Sequence, residues 1–508
     1  MLHSAPKATA AVLPRSSQHE RADAIGVARP SGQALRLWLC GIAMIVPMIA
    51  FGWRYPLVPN SATLTDIGKL SQYQRTDFFG YALGFGVLFA LYLLALHESR
   101  SLPAQAALPA VFVCGTGMAL GMVWMYPVSA IDVFLYAVRS RLLTAYGQNP
   151  ISVPFSVHPN DPWMPFATSY WAERVSPYGP LWNAVAAPIT ALSGDRMAVA
   201  LIGFKLLCLL CALACTWLIA RTLAATGRAD AATGALLFLW NPLVLWESVG
   251  NAHNDVVLTL LLLLALYAWA AQRNVLVLPA LVLATLLKYV TLPLLPLAAI
   301  ALWRRAPDRA ARWRLIVWSV VGSALAAAVA LYPFDVLGAL RASVAQQGAI
   351  AYTSPASVAL ALLHNHYPSE QIMAWATWAG AAVLLTALAL AAIAMWRQPE
   401  RFPRVCFEVL YVFLLVAVAS SRAWYLIWLV ALAALLPWGW PTWRAIAWTA
   451  GALAGYAFFI WIEAWWQPGY DRAQVVGTAL ILGGTLALTG AEIAAHLRVC
   501  PTRAAVRG

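Results

Sequence analysis

The chain has 508 residues, 62% of them hydrophobic and only 10% charged, with a net charge of +13. Soluble domains run near about 45–50% apolar and about 25% charged, so a large water-soluble fold is excluded. The basic excess would fit nucleic-acid binding only on a polar domain, and the mean hydropathy of +0.72 leaves no room for one.

Residues 1–33 are polar, rich in Ala, Ser, Pro and Arg, and contain no apolar run. They read as a disordered cytoplasmic tail without a cleavable signal. The following apolar runs are of the length that crosses a hydrocarbon core as helix, because lipid leaves backbone groups no partner outside their own segment. Spans are predicted at 35–53, 79–97, 105–125, 197–221, 231–248 and 254–271. Further ones follow at 312–333, 370–396, 404–420, 423–438, 443–466 and 473–496. Cys208, Cys211 and Cys215 fall inside the apolar run Ala198–Ala220 at helical spacing, and read as small packing residues rather than as metal ligands.

The stretch 275–303 is one long span or two short ones broken at Lys288-Tyr289. Charge arbitrates. With Lys7, Arg15, Arg21, Arg29 and Arg36 inside, the loops at Arg100, Arg221/Arg228 and Arg273 also fall inside. The basic loop Arg304–Arg314 must then be inside too, which takes two crossings and puts Lys288 at the outer turn. The predicted architecture is an all-α membrane bundle over 34–496, of about 13–14 transmembrane helices. A basic cytoplasmic tail, 497–508, follows it. Both termini are cytoplasmic in this reading, in a multi-pass inner-membrane protein.

Polar chemistry collects on the outer side. Segment 126–196 is the longest, and within it Ile131, Leu135, Val138 and Leu142 recur as one helical stripe. Asp132, Tyr136 and Arg139 share the neighbouring face, as on an interfacial helix offering an acid and a base. Asp132 equally suits the positive end of a helix dipole. Ser176-Pro177-Tyr178-Gly179-Pro180 is a fixed turn ahead of a further apolar helix. Between two spans, Glu247, Asn251, His253, Asn254 and Asp255 crowd a hairpin at membrane depth, where polar groups are costly and line sites. Lys288, Lys205 and Arg422 add cations on the same side, and this combination suits an anionic headgroup on a lipid tail.

Five stretches stand in a familiar order: 132–150 (DVFLYAVRSRL…GQNP), 176–182 (SPYGPLW), 241–255 (NPLVLWESVGNAHND), 287–296 (LKYVTLPLLP) and 424–430 (WYLIWLV). Together they resemble the polyprenol-phosphomannose-dependent α-1,6-mannosyltransferases, bacterial enzymes of the GT-C fold, over roughly 35–470. The resemblance implies inverting transfer of a hexose, with mannose the implied sugar, from a polyprenyl-phosphate donor to a glycan or glycolipid acceptor on the outer face. It implies Asp132 as general base. Lys288, then Arg422, then Arg139 are the expected contacts to the donor phosphate. Tyr136, Tyr178, Glu247, Asn251, His253, Asn254 and Asp255 are the expected substrate contacts. No cofactor is expected; a divalent ion at His253 and Asp255 stays open, because His-x-Asp is too short a signal. Two alternatives use the same features: a transporter or flippase of lipid-linked sugars, and a lipid-linked-oligosaccharide polymerase or ligase.

Overall fold

The computed structural model describes residues 32–332, 334 and 352–499. The expected tails lie almost wholly outside these residues. The protein is an all-α, multi-pass membrane protein, and among the described residues only two isolated bridges, Pro56–Met125 and Tyr352–Ser420, pair in β fashion.

Among the described residues, eight helices are long and apolar enough to cross a membrane. They are Gly32–Arg54, Arg75–Ser99, Ala104–Val123, Met197–Ala225, Arg309–Leu331, Ser369–Arg397, Trp440–Trp466 and Tyr470–Arg498. Helix Pro242–Gly250 and helix Asp255–Ala270 form a ninth element, bent by 115° at the intervening loop. The other expected crossings are shorter. The stretch 275–303 is indeed divided, into Val277–Leu287 and Leu294–Arg305, with Lys288 extended at the break. The span expected at 231–248 is interrupted: Ala231–Leu239 ends before Asn241-Pro242, which starts a new helix. Asn241 Oδ1 accepts the Leu243 and Val244 N–H groups there, and the proline needs no donor at that position. The span expected at 404–420 stops at a π-turn over Phe413–Ala417, leaving Val418 and Arg422 extended.

Small residues bring helices close. A Cβ at Gly52 would press on the Gly121 carbonyl, so the first and third long helices touch backbone to backbone. The three clustered cysteines are buried as packing residues, Cys208 and Cys215 turning their thiols to the carbonyls of His253 and Val256.

The charged loops separate into two ends. At one, Arg36 makes a two-pronged pair with Glu98, Arg228 donates to the Leu435 and Leu436 carbonyls, and Arg444 sits between Glu408 and Glu492. These are loops and helix ends that the charge pattern assigns to a single side. At the other end Arg54 pairs with Asp77, Tyr126 bonds the Thr63 carbonyl, and Trp461 bonds Ser71. The polar hairpin and the segment 126–196 belong to this second end, through the Ser129–Asn251 and Gly179–Leu287 hydrogen bonds.

Candidate active site

Segment 126–196 folds as a cap around helix Asp132–Tyr146. That helix is more enclosed than a single apolar stripe predicts: every residue from Val133 to Ser140 is buried. Helices Pro180–Ser193 and Met197–Ala225 pack on it, and Phe166 stacks on Phe134 at 5.5 Å. Gly147 ends the helix in the left-handed conformation, φ +61°, as helices commonly end. Beyond it, Arg141 grips Asp161 and Asp195 at 2.6 Å each, closing the cap.

Asp132 is the first residue of this helix and is partly exposed. Its Oδ1 accepts a 2.6 Å hydrogen bond from the Tyr178 hydroxyl. Tyr178 stands in the proline-bracketed turn, which is fixed from three directions. Ser176 N–H bonds the Pro150 carbonyl, Gly179 N–H bonds the Leu287 carbonyl, and Asn183 donates to the carbonyls of Tyr178 and Gly179. A Cβ at Gly179 would collide with the Leu286 carbonyl, so only glycine lets the turn dock at the Lys288 break. The Tyr136 ring meets Tyr178 edge-on at 4.9 Å, and its hydroxyl accepts from Asn254 N–H at 3.4 Å.

Arg139 lies one helical turn below Tyr136, buried, with its guanidinium 5.4 Å from the Trp171 ring and 6.0 Å from the Tyr178 ring. Neither Nη atom has a hydrogen-bond partner among the described residues. Burial lowers its pKa to about 10, against the pull of Tyr178 and Asp132.

The hairpin residues, expected to line a site at membrane depth, are buried: Glu247, His253, Asn254 and Asp255 are 0% exposed and Asn251 1%. Asp255 accepts Lys288 Nζ through both oxygens at 2.8 Å, and Asn254 Oδ1 lies 3.4 Å from the same ammonium. Lys288 also sits over the rings of Tyr425 and Trp428. It is therefore already neutralised by a carboxylate. Arg422 has no carboxylate partner among the described residues and rests over Tyr352 and Trp424. Trp424 in turn lies flat on His253, 3.9 Å away.

Lys205 departs from expectation. It was grouped with the outer cations facing a headgroup, yet it is 0% exposed and donates to the carbonyls of Met122, Val249 and Gly250. It replaces the hydrogen bonds that the bent helix loses at its C-terminal end. A lysine within an apolar run announces a cost, but the carbonyls that meet it come from elsewhere in the chain. Also missing from the sequence reading are Tyr456, whose hydroxyl borders Glu247, and Ser129, which borders Tyr456 and donates its N–H to Asn251. A serine and a tyrosine at span ends carry no signal of their own. Among the described residues, no three His, Cys, Asp or Glu side chains converge in a way that would hold a metal ion.

One end of the membrane bundle thus presents a held carboxylate, guanidinium groups without carboxylate partners among the described residues, and a buried polar hairpin. Residues 38–304 match the family described as alpha-(1→6)-mannopyranosyltransferase, N-terminal domain, and the chain belongs to that family of mannosyltransferases. It is also similar to alpha-(1→6)-mannopyranosyltransferases A and B of Corynebacterium glutamicum, at 25% identity over 138 residues and 26% over 144. The matched parts make up 27% and 28% of this chain, and 28% and 23% of the two relatives. The chain thus aligns with about a quarter of the length of each curated relative.

Proposed function

We propose that the protein transfers a mannosyl unit from a polyprenyl-phosphate donor to a hydroxyl of a glycan or glycolipid, with inversion, on the outer face of the cytoplasmic membrane. Both termini then lie in the cytoplasm. The observation that carries this reading is Asp132: one oxygen is tied to Tyr178, and Oδ2 has no partner among the described residues. That free oxygen takes the proton of the acceptor hydroxyl as its oxygen attacks the anomeric carbon. The bond from that carbon to the phosphate oxygen breaks, and polyprenyl phosphate leaves with the electron pair. A phosphate monoester needs cations more than a proton. Arg422 and Arg139, both without a carboxylate partner among the described residues, serve it first, while Lys288 is shared with Asp255.

The apolar bundle supplies the surroundings that a polyprenyl tail requires, and the polar hairpin supplies contacts for sugar hydroxyls. The test is transfer from synthetic polyprenyl-phosphate mannose by the purified chain in proteoliposomes. Wild type should form a glycosidic bond, and Asp132→Asn should not. Full activity in Asp132→Asn would sink the base, and movement of the labelled lipid across the bilayer without a glycosidic product would sink the reaction.

A further inference from the structure

We infer that Ser129, Glu247, His253, Asn254 and Tyr456 form the subsite that receives the hydroxyls of the donor's hexose ring, a reading that rests on the proposed glycosyl transfer and deepens it. Glu247 Oε2 and His253 Nε2 face one another at 3.2 Å, both residues wholly buried. Asn251 bridges outward: its Nδ2 is 3.4 Å from Glu247 Oε2, and its Oδ1 accepts from Ser129 N–H at 3.1 Å. The Tyr456 hydroxyl borders Glu247 and Ser129.

Despite this crowding, the cluster is only partly satisfied. His253 Nδ1 and Asn254 Nδ2 are buried and have no hydrogen-bond partner among the described residues, while Glu247 Oε1, Ser129 Oγ, Tyr456 Oη and His253 Nε2 meet only other members of the cluster. Buried polar atoms are almost always paired, so orphans concentrated at one place mark a site for an absent partner. The chemistry of the cluster specifies it. One atom only accepts, one only donates, and the hydroxyls and the imidazole do either. Such a mixture fits alcohol groups, each of which donates and accepts. It does not fit a phosphate, which would meet the Glu247 carboxylate, nor a metal ion, for which no third ligating side chain joins Glu247 and His253 among the described residues.

Position distinguishes the donor sugar from other hydroxyls. Ser129 is three residues before Asp132, and His253 is two before Asp255. Trp424 lies on the His253 ring, and Arg422, two residues earlier, is the guanidinium without a carboxylate partner among the described residues. A ligand in the cluster therefore has the carboxylate on one side and a cation on the other. A hexosyl phosphate has that polarity, a neutral ring with an anion at C1, whereas the acceptor needs only to reach Asp132.

The experiment uses the full chain in detergent, titrated with mannose 1-phosphate and, separately, with inorganic phosphate, and read by tryptophan fluorescence. Wild type should bind the sugar phosphate about tenfold or more tightly than phosphate, and Glu247→Gln and Tyr456→Phe should each remove most of that preference while leaving phosphate affinity unchanged. Ser129→Ala gives the same comparison if either variant melts early. An unchanged preference in all three overturns the subsite, as does a wild-type protein that does not prefer the sugar phosphate; water alone then fills the cluster. A rise confined to the acceptor KM overturns it too. Because binding is read without turnover, a wild type that prefers the sugar phosphate but transfers nothing overturns the proposed reaction and leaves the subsite standing.

Discussion

The Tyr178 hydroxyl donates to Asp132 Oδ1 at 2.6 Å, across 46 residues of chain. This bond ties the proline-bracketed turn to the candidate base: Tyr178, one of the expected substrate contacts, donates its phenol to Asp132. The carboxylate keeps one oxygen fixed and one open, and that arrangement is worth more for aim than for affinity. Tyr178→Phe should therefore lower kcat about tenfold or more, with little change in donor KM. Steady-state kinetics at varied donor concentration measures the split, and a change carried by KM alone would place Tyr178 in binding.

Gly179 couples that turn to the Lys288 break. Its N–H bonds the Leu287 carbonyl, and the Leu286 carbonyl occupies the space of a side chain. Gly179→Ala must push the turn off helix Val277–Leu287, and backbone cannot yield as a side-chain end does. The expected result is a loss of about 2–4 kcal/mol and displacement of Tyr178 from Asp132. Thermal melting in detergent reads the first effect; activity falling at least as far as in Tyr178→Phe reads the second.

Asp255 and Lys288 form a pair with the acid fully buried and the ammonium partly so. Deleting one partner leaves a charge without its counter-ion, which costs about 3–5 kcal/mol, whereas deleting both costs far less. Asp255→Asn and Lys288→Met should each destabilise strongly, and the double variant should melt above either single one. Additive single effects in this cycle would mean that the two groups are held by separate surroundings.

The helices were readable because lipid imposes one rule on every residue of a span, and the break at Lys288 was readable because basic loops must share a side. The polar hairpin stood out for the same reason, five polar side chains in an apolar run. Its burial did not, since the cover comes from Trp424 and the cap, which are distant in sequence. Lys205 shows the limit most plainly. Its cost is visible in the run Met197–Ala225, while the carbonyls that accept from it lie 83, 44 and 45 residues away. The Arg141 clasp is equally silent, because Asp161 and Asp195 stand among ordinary loop residues.

That clasp sets a pH limit on the cap. Burial alone would raise the Asp161 pKa, but hydrogen bonds from Arg141, Tyr146 and Trp163 N–H outweigh it and hold the group below its ordinary 3.8. The donors stand at 2.6, 2.7 and 2.7 Å. A carboxylate depressed in the folded state stabilises fully above its unfolded pKa, and loses that contribution as pH falls through the folded value. The Asp161 contribution should thus be constant from neutral pH down to about 5, begin to fall at about 4, and vanish only once the pH is below the depressed folded value. Asp161→Asn should cost about 3 kcal/mol near pH 7, since it leaves Arg141 without its buried partner. Other carboxylates titrate in the same range, so the measurement is the difference in melting temperature between wild type and Asp161→Asn. That difference should shrink towards zero as the acid is protonated. A gap that stays constant from pH 7 to pH 3 would mean that the variant disturbs packing and not the charge.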